Sequence, residues 1–425
     1  MLRSKQLALF EDVDSSEHKN SSTFLDNMRL PVHRWFRYSA GFSAQWVESV
    51  ITNERARQVL DPFAGSGTTL IAAEDAGVQG YGVESHPFVA RVARAKLARR
   101  SDPEAYRALA HAVLQSASGK KSSDEEYPPL IKKCYTEESL CDLDKLRRAV
   151  VESQEGSPAS ELVWLTLVSI LRITSHVGTA NWQYILPNKT KKNVSEPLGA
   201  FAHQSEVIYR DMLDSQEVEG PSATLVSTDA RTCGGVPPGF ADLVITSPPY
   251  PNNYDYADAT RLEMSFMREI GGWGDLHESV RKHLVRSCSQ HVPERAADLG
   301  TVLSSPELAP IRADIAPVCH QLAEVRLTRG GKKTYHLMVA CYFLDLAKTW
   351  LALRTVCASP CKVCFVVGDS APYGVYVPVH DWLGRLAVAA GFRGFSFERI
   401  RDRNTKWKNR KHRVPLCEGR LWVEG

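Results

Sequence analysis

The chain has 425 residues, of which 43% are hydrophobic and 24% charged, the balance of a globular protein and not of a disordered or collagen-like one. Its 52 Lys and Arg stand against 49 Asp and Glu, a formal charge of +3 too small to announce a polyanionic partner, so any such surface must be a local cluster. No apolar run reads as long enough to cross a bilayer, and the N-terminus lacks the basic-then-apolar layout of a secretory signal, which makes the cytoplasm the expected compartment.

Residues 1–22 are polar apart from "QLALF" and are expected to form a flexible tail. Ordered structure should begin near "LPVHRWFRYSAGFSAQWVESVI". From Val59 the pattern is strand "RQVLD", a Gly-rich turn, helix "TTLIAAEDA" stopped by Gly77, then strand "GYGVE": a βαβ unit with short connections. From about Lys96 to Glu219 the chain reads as mostly helical, including "ELVWLTLVSILRITSHVG", with polar loops "SASGKKSSDEE" and "LPNKTKKNVSEP". Alternation resumes at "SATLVSTD" and "ADLVITS". After a polar stretch over 271–333 come helix "YFLDLAKTWLALRTV", strand "KVCFVVGDS", helix "DWLGRLAVAAG" and the closing strand "RLWVEG". No repeat of fixed period is present. The pattern predicts an α/β fold with one Rossmann-like, doubly wound mixed sheet, a helical insertion over 100–220 and a smaller insertion over 271–333.

The ten cysteines are scattered, with one close pair at Cys361 and Cys364. No second pair or histidine partner stands at a matching spacing, so the pair reads as reduced thiols in a buried strand and no metal is expected.

"LDPFAGSGTTL" places Asp61 at the carboxyl end of a strand, followed by Pro62, Phe63 and Ala64, then Gly65 and Gly67 at a helix entrance. Open α/β sheets bind ligands at that edge. The glycines allow a ligand close to the backbone, and Ser66 and Thr68 add short polar side chains. A P-loop would end in Gly-Lys-Ser/Thr, whereas here the residues are Gly-Thr-Thr. A dinucleotide fingerprint would need a third glycine at position 70, which is Leu. Phosphate binding is therefore disfavoured. Glu84 ends the next strand, where a carboxylate can accept hydrogen bonds from both ribose hydroxyls of a nucleoside. Asp229 follows "SATLVST", where a third strand would end near an adenine amino group. Both acids are also residue types that cap helix entries.

"LVITSPPYPNNYDY", 243–256, runs a strand into Ser247, Pro248, Pro249 and Tyr250. The prolines fix φ and remove two N–H donors. What is left is a stiff edge of carbonyl oxygens beside a hydroxyl and a ring, which suits a flat group that donates hydrogens. The alternative is a strand-terminal turn with a surface tyrosine.

"DPFAGSGTT" followed by "TSPPY" resembles the S-adenosylmethionine-dependent amino-methyltransferases of DNA, which methylate N4 of cytosine or N6 of adenine. The first stretch is similar to the family's cofactor loop and the second to its catalytic tetrapeptide. "RWFRYSAGFS", with Phe42 and Ser43, resembles the segment that covers the methionine end of the cofactor, and "VVGDSAPYGVYVP" a downstream strand and loop. Together they cover about half of the chain. The resemblance implies that Asp61 to Thr68, Glu84 and Asp229 hold S-adenosylmethionine, and that Ser247, Pro248, Pro249 and Tyr250 hold the base. Its domains would then be a tail over 1–22, a cofactor half over 23–99, the helical insertion over 100–220, and a catalytic half over 221–270 and 334–425. Residues 271–333 would be a second insertion with a possible part in target recognition.

An exocyclic amino group is a weak nucleophile, because its lone pair is shared with the ring. A Ser247 oxygen and the Pro248 carbonyl accepting its two hydrogens would draw it towards a tetrahedral shape and aim the lone pair at the methyl group, so positioning is most of the catalysis. The base must leave the duplex first, and stacking on Tyr250, worth ~1–3 kcal/mol, offsets part of that cost. In the family, serine at the first elbow position goes more often with cytosine N4, the base expected here, with adenine N6 the alternative. An RNA target and a non-catalytic binding protein of the same fold are more distant alternatives. A carbon-5 cytosine mechanism through Pro360–Cys361 fails on context, because Cys361 precedes a buried strand, follows the elbow and has no Glu-Asn-Val partner stretch.

"RIRDRNTKWKNRKHR", 399–413, holds eight Lys/Arg against one Asp. Arg399, Arg401, Arg403, Lys406, Trp407, Lys408, Arg410 and Lys411 are the expected contacts to double-stranded DNA. "NKTKKN" at 188–193 is a weaker candidate, and "RKHLVRSCSQHVPER" at 281–295 lies where bases could be read. "QLALF" resembles the pentapeptide by which bacterial replication and repair proteins bind the sliding clamp, with Gln6, Leu7, Leu9 and Phe10 as anchors. Docking of the apolar tail on its own domain is the alternative. Cognate restriction or defence proteins are the other partners that the resemblance suggests.

Overall fold

A computed structural model describes residues 24–38, 41–123, 125–180, 183–252, 254–292, 297–330, 333–403 and 414–425. Its strands are β1 (Gln58–Asp61), β2 (Gln79–Val83), β3 (Val177–Thr179), β4 (Ile185–Thr190), β5 (Thr224–Val226), β6 (Ala241–Thr246), β7 (Cys357–Gly368), β8 (Gly394–Arg403) and β9 (Leu416–Glu424). Seven of them form one sheet in the order β5-β2-β1-β6-β7-β9-β8, and β3 and β4 form a separate antiparallel hairpin. The first five strands of the sheet run parallel, and β9 lies antiparallel between β7 and β8. The order reverses between β1 and β6, the switch point at which open sheets bind ligands beyond the carboxyl ends of their strands.

The central strands are continuous apolar runs because both faces of the sheet are covered. Val59, Leu243 and Ile245 face Phe42, Val47 and Ile51 at and within the helix Ala44–Asn53. Leu60, Val244, Val363 and Phe365 face the helix Tyr335–Val356, with the rings of Trp350 and Phe365 stacked at 4.3 Å. This helix starts at Tyr335 rather than Tyr342. It corrects the reading that no apolar run could cross a bilayer: it is long and apolar enough, but 83% of that stretch is buried inside the protein.

Between β2 and β5 the helices Pro103–Gly119, Glu137–Glu152, Pro158–Ile170 and Pro197–Ser215 pack around Tyr106, Leu146, Trp164 and Phe201. Three of them start with an acceptor side chain followed by proline: Asp102–Pro103, Ser157–Pro158 and Glu196–Pro197. The acceptor satisfies free N–H groups of the first turn, and proline at the first helical position sacrifices none that was bonded. The segment read as one long helix, "ELVWLTLVSILRITSHVG", stops at Ile170. Past that point Thr174 turns its hydroxyl back on the Ile170 carbonyl at 3.0 Å, and Val177 enters the β3–β4 hairpin, which is not helical as expected.

The upstream segment is pinned to this helical layer. Asp211, fully buried on Pro197–Ser215, accepts hydrogen bonds from Val32 N–H at 3.1 Å, Trp35 Nε1 at 2.7 Å and Arg34 Nε at 3.1 Å. On β7, Cys361 and Cys364 are both buried, and three positions along a strand send them to opposite faces.

Candidate active site

The site sits at the carboxyl ends of β1, β2 and β6. Asp61 closes β1 with 2% of its surface exposed. Its Oδ1 accepts from Thr246 Oγ1 at 2.5 Å and Phe63 N–H at 3.0 Å, and its Oδ2 from Thr69 Oγ1 at 2.7 Å. Thr69 lies in the helix Thr68–Asp75, and Thr246 is the last residue of β6 before Ser247. One carboxylate thus joins both ends of the Gly-rich loop to the start of the elbow. Burial raises its pKa to about 6, against the hydrogen bonds from the two threonines and Phe63.

Gly65 and Gly67 both have positive φ, +53° and +90°, a region other residues enter only with strain. A Cβ on Gly65 would stand 3.1 Å from Cε1 of Tyr38, so the upstream segment lies directly on the loop. Ala64 N–H donates to the Val83 carbonyl at 3.0 Å, which ties the loop to β2. Pro62, Ser66 and Thr68 are buried along it, while Phe63 is partly exposed. Glu84, just past β2, accepts from Gly65 N–H at 2.8 Å and His86 N–H at 2.7 Å. Its pKa is pushed up to about 7, first by burial and further by the Asp61 charge, with those two N–H groups opposing.

Phe42 and Ser43 are placed behind the loop. Phe42 is buried against Trp46, its ring edge-on at 5.7 Å, and Ser43 caps the helix Ala44–Asn53 by accepting from Trp46 N–H at 3.3 Å. Tyr38 of the same segment makes the loop contact instead. Asp229 starts a turn in which its carboxylate accepts from Arg231 N–H at 2.8 Å and from the Arg231 guanidinium. Arg231 also reaches Asp345 at 3.3 Å.

At the elbow, Ser247 Oγ lies 3.4 Å from the Val366 carbonyl and hydrogen bonds with the Tyr250 hydroxyl. Burial first, then the Glu418 charge, pushes the Tyr250 pKa up, while Arg403 and Ser247 oppose the shift. The chain then turns past further tyrosines. Tyr254 meets Tyr256 edge-on at 4.6 Å and Tyr184 at 5.5 Å, and Asp255 N–H donates to Tyr184 Oη at 2.6 Å. Tyr256 receives a hydrogen bond from the Tyr250 backbone and also feels the Glu84 charge. Tyr38 feels Glu84, Tyr254 and Tyr256 in turn. Tyr38 on the Gly-rich loop and Tyr256 past the elbow pack against the same apolar cluster, and no short motif marks either. The one sequence signal was their density, "NNYDYAD" beside "FRYSAGF".

Of the basic stretch, Arg399 pairs with Asp402 and Arg401 with Glu418 at 2.8 Å, their side chains 61% and 50% exposed. Arg403 turns inward. Lys406, Trp407, Lys408, Arg410 and Lys411 lie outside the described residues, as do Gln6, Leu7, Leu9 and Phe10. Within 281–295, Arg281 and His291 face the elbow loop, reaching Asp255 at 2.7 and 3.3 Å.

Among the described residues, two clusters bring a carboxylate, an imidazole and a thiol within 4.8 Å and have donor atoms a metal could use: Asp255, Cys288 and His291, and Asp369, His380 and Cys417. In the first, Arg281 already balances the carboxylate. In the second, Asp369 accepts from Tyr376 Oη at 2.9 Å, Val379 N–H at 3.2 Å and Cys417 Sγ at 3.1 Å.

A family model described as DNA methylase, of the N6/N4 methyltransferases, matches residues 10–95, the part of the chain that ends past the Gly-rich loop and Glu84. Over 95% of its length the chain is 24% identical to the Type II methyltransferase M.BsoBI of Geobacillus stearothermophilus, covering 86% of that protein. It is 23% identical to the Type II methyltransferase M.AvaI of Nostoc sp. over 87% of this chain and 81% of that one. An Anabaena variabilis protein of the same name aligns to the same extent.

Proposed function

We propose that the chain is a DNA amino-methyltransferase of the N4/N6 family, a site-specific enzyme that methylates cytosine N4 of a flipped base from S-adenosylmethionine. The observation that carries this reading is the shared carboxylate of Asp61: through Thr246 it fixes the elbow against the Gly-rich loop on the adjacent strands β1 and β6.

The residues fit the cofactor. Gly65 and Gly67 add no side chains of their own to the loop beside Tyr38, and Glu84, with backbone N–H partners in Gly65, Ser85 and His86, keeps acceptor capacity for a ribose hydroxyl. When bound, S-adenosylmethionine supplies an electrophilic methyl group. The protein's part is positional. Tyr250 offers a ring face for the base, with a stacking gain of ~1–3 kcal/mol. The Pro248 carbonyl and Ser247 Oγ accept the two amino hydrogens, and Ser247 is held nearby by Val366 and Tyr250. Positive charge develops on the attacking nitrogen, so its proton leaves without a strong base, and alignment is the main contribution.

Serine at the first elbow position favours cytosine over adenine in the family. Arg399 and Arg401, on the edge strand β8, are proposed phosphate contacts together with the basic residues that follow. The segment Gln6–Phe10 is proposed to dock on a sliding clamp, and a cognate nuclease would complete a restriction-modification pair in the cytoplasm.

The test is transfer of tritiated methyl from S-adenosylmethionine to mixed-sequence duplex DNA and to total RNA, followed by nucleoside mass spectrometry, with Tyr250→Ala as control. N4-methylcytosine in DNA, strongly reduced in the variant, is expected. N6-methyladenine would keep the mechanism and overturn the base, and label in RNA alone would overturn the substrate.

A further inference from the structure

The last residue of β8 does not face solvent like its neighbours. Arg403 keeps only 16% of its side chain exposed and lies across the end of β7, with four surroundings that fix it. Its Nη1 donates to the Asp369 carbonyl at 2.7 Å, its Nε is 3.8 Å from a Glu418 oxygen, and its guanidinium carbon is 5.1 Å from the centre of the Tyr250 ring. Beneath it is Gly368, where a Cβ would stand 2.7 Å from Nη1 and 2.9 Å from Cδ. The track exists only because position 368 has no side chain.

Resting on the base-clamp reading of Tyr250, we infer that Arg403 is a positioning residue that holds this ring in the orientation the flipped base stacks on. A guanidinium on an aromatic ring is attracted by the ring's negative face, and its planar fork spans a carbonyl, a carboxylate and a ring at once, as a lysine ammonium cannot. The track also couples two functions. Arg403 is followed directly by 404–413, which carries five Lys/Arg, so a strand bearing phosphate-binding side chains ends in the residue that sets the ring. The proposed phosphate contacts Arg399 and Arg401 and the ring contact of Arg403 then lie on one strand.

The test uses the full-length protein with Arg403→Gln, Arg403→Lys and Gly368→Ala. The last keeps the charge but pushes the guanidinium off its track. Single-turnover methyl transfer should fall roughly ten-fold in Arg403→Gln and comparably in Gly368→Ala, with a smaller loss in Arg403→Lys, while affinity for S-adenosylmethionine is unchanged. In a Tyr250→Ala background Arg403→Gln should add nothing, since the pair acts as a unit. A 3-fluorotyrosine at position 250 gives a readout without substrate, and its fluorine resonance should shift or broaden in Arg403→Gln and in Gly368→Ala. Independent, multiplying losses in the double variant, or an unmoved fluorine signal, would overturn the inference. If the fluorine signal moves while the wild-type protein methylates no nucleic acid, the positioning role stands and the function proposed above falls.

Discussion

Asp61 and Thr246, 185 residues apart in the chain, share a hydrogen bond of 2.5 Å between a carboxylate and a hydroxyl that are both buried. The contact makes the geometry of the Gly-rich loop and of the elbow one problem, because the same carboxylate holds Thr69 and Phe63 on the loop. Asp61→Ala leaves two hydroxyls and one N–H without an acceptor, and we expect a loss of about 2–4 kcal/mol in stability. The pH dependence has a definite sign. A carboxyl whose folded pKa is raised to about 6 stabilises the fold fully below its unfolded value and loses that contribution as pH rises through 6. Against the non-titrating Asp61→Asn, the wild-type protein should therefore lose ground, by roughly 2–3 kcal/mol at most, between about pH 4 and 7. Paired thermal melts across that range check it, and a flat difference would show that burial of the charge costs little.

Glu84 gives a prediction in binding rather than in folding. Its pKa of about 7 leaves a part-protonated carboxyl near neutrality, and the ionised form has the acceptors a ribose diol needs. Affinity for S-adenosylmethionine should rise roughly ten-fold between about pH 6 and 8 in the wild-type protein. In Glu84→Gln the rise should be much smaller, any remainder belonging to the cofactor's own amine. Calorimetric titration at several pH values measures both.

The exposed arginines of β8 predict a salt effect. If Arg399 and Arg401 each neutralise one phosphate, Arg399→Gln and Arg401→Gln should weaken binding to all duplex sequences alike and lower the slope of log K against log salt by about 0.9 each. Unchanged slopes would confine these side chains to their pairs with Asp402 and Glu418.

The loop and the elbow were legible because each is a local necessity: Gly65 and Gly67 serve a turn that needs positive φ, and Pro248–Pro249 stiffen a strand end. The helix starts at Pro103, Pro158 and Pro197 carry equally local signals. The roles of Arg403 and Asp211 were not legible. Arg403 sits in a basic run and reads as surface charge, and only the missing side chain at Gly368, 35 positions upstream, gives it a buried track. The β3–β4 hairpin escaped because β3 is only three residues long and most of β4, exposed and polar, reads as a loop. Phe42 and Ser43 show the converse. The segment does lie against the loop, but through Tyr38, while Phe42 packs in the core under β1 and β6.

Asp211 is where the upstream segment should come loose. It has no exposed surface, and it satisfies a backbone N–H, an indole and a guanidinium of Val32, Trp35 and Arg34. Removing the carboxylate in Asp211→Ala leaves three donors unmet. The cost should be roughly 3 kcal/mol, at the low end for a broken buried pair because Arg34 keeps 37% of its side chain in water and can turn outward. The loss should not be global in its first effect. Residues 32–38 lead straight to Tyr38 on Gly65, so hydrogen exchange should accelerate there before it does in the sheet, and affinity for S-adenosylmethionine should fall while affinity for DNA changes less. Asp211→Asn keeps one acceptor oxygen and should recover part of both effects. Exchange that accelerates evenly over the helices between β2 and β5 would mean that Asp211 holds the helical layer together rather than the covering of the loop.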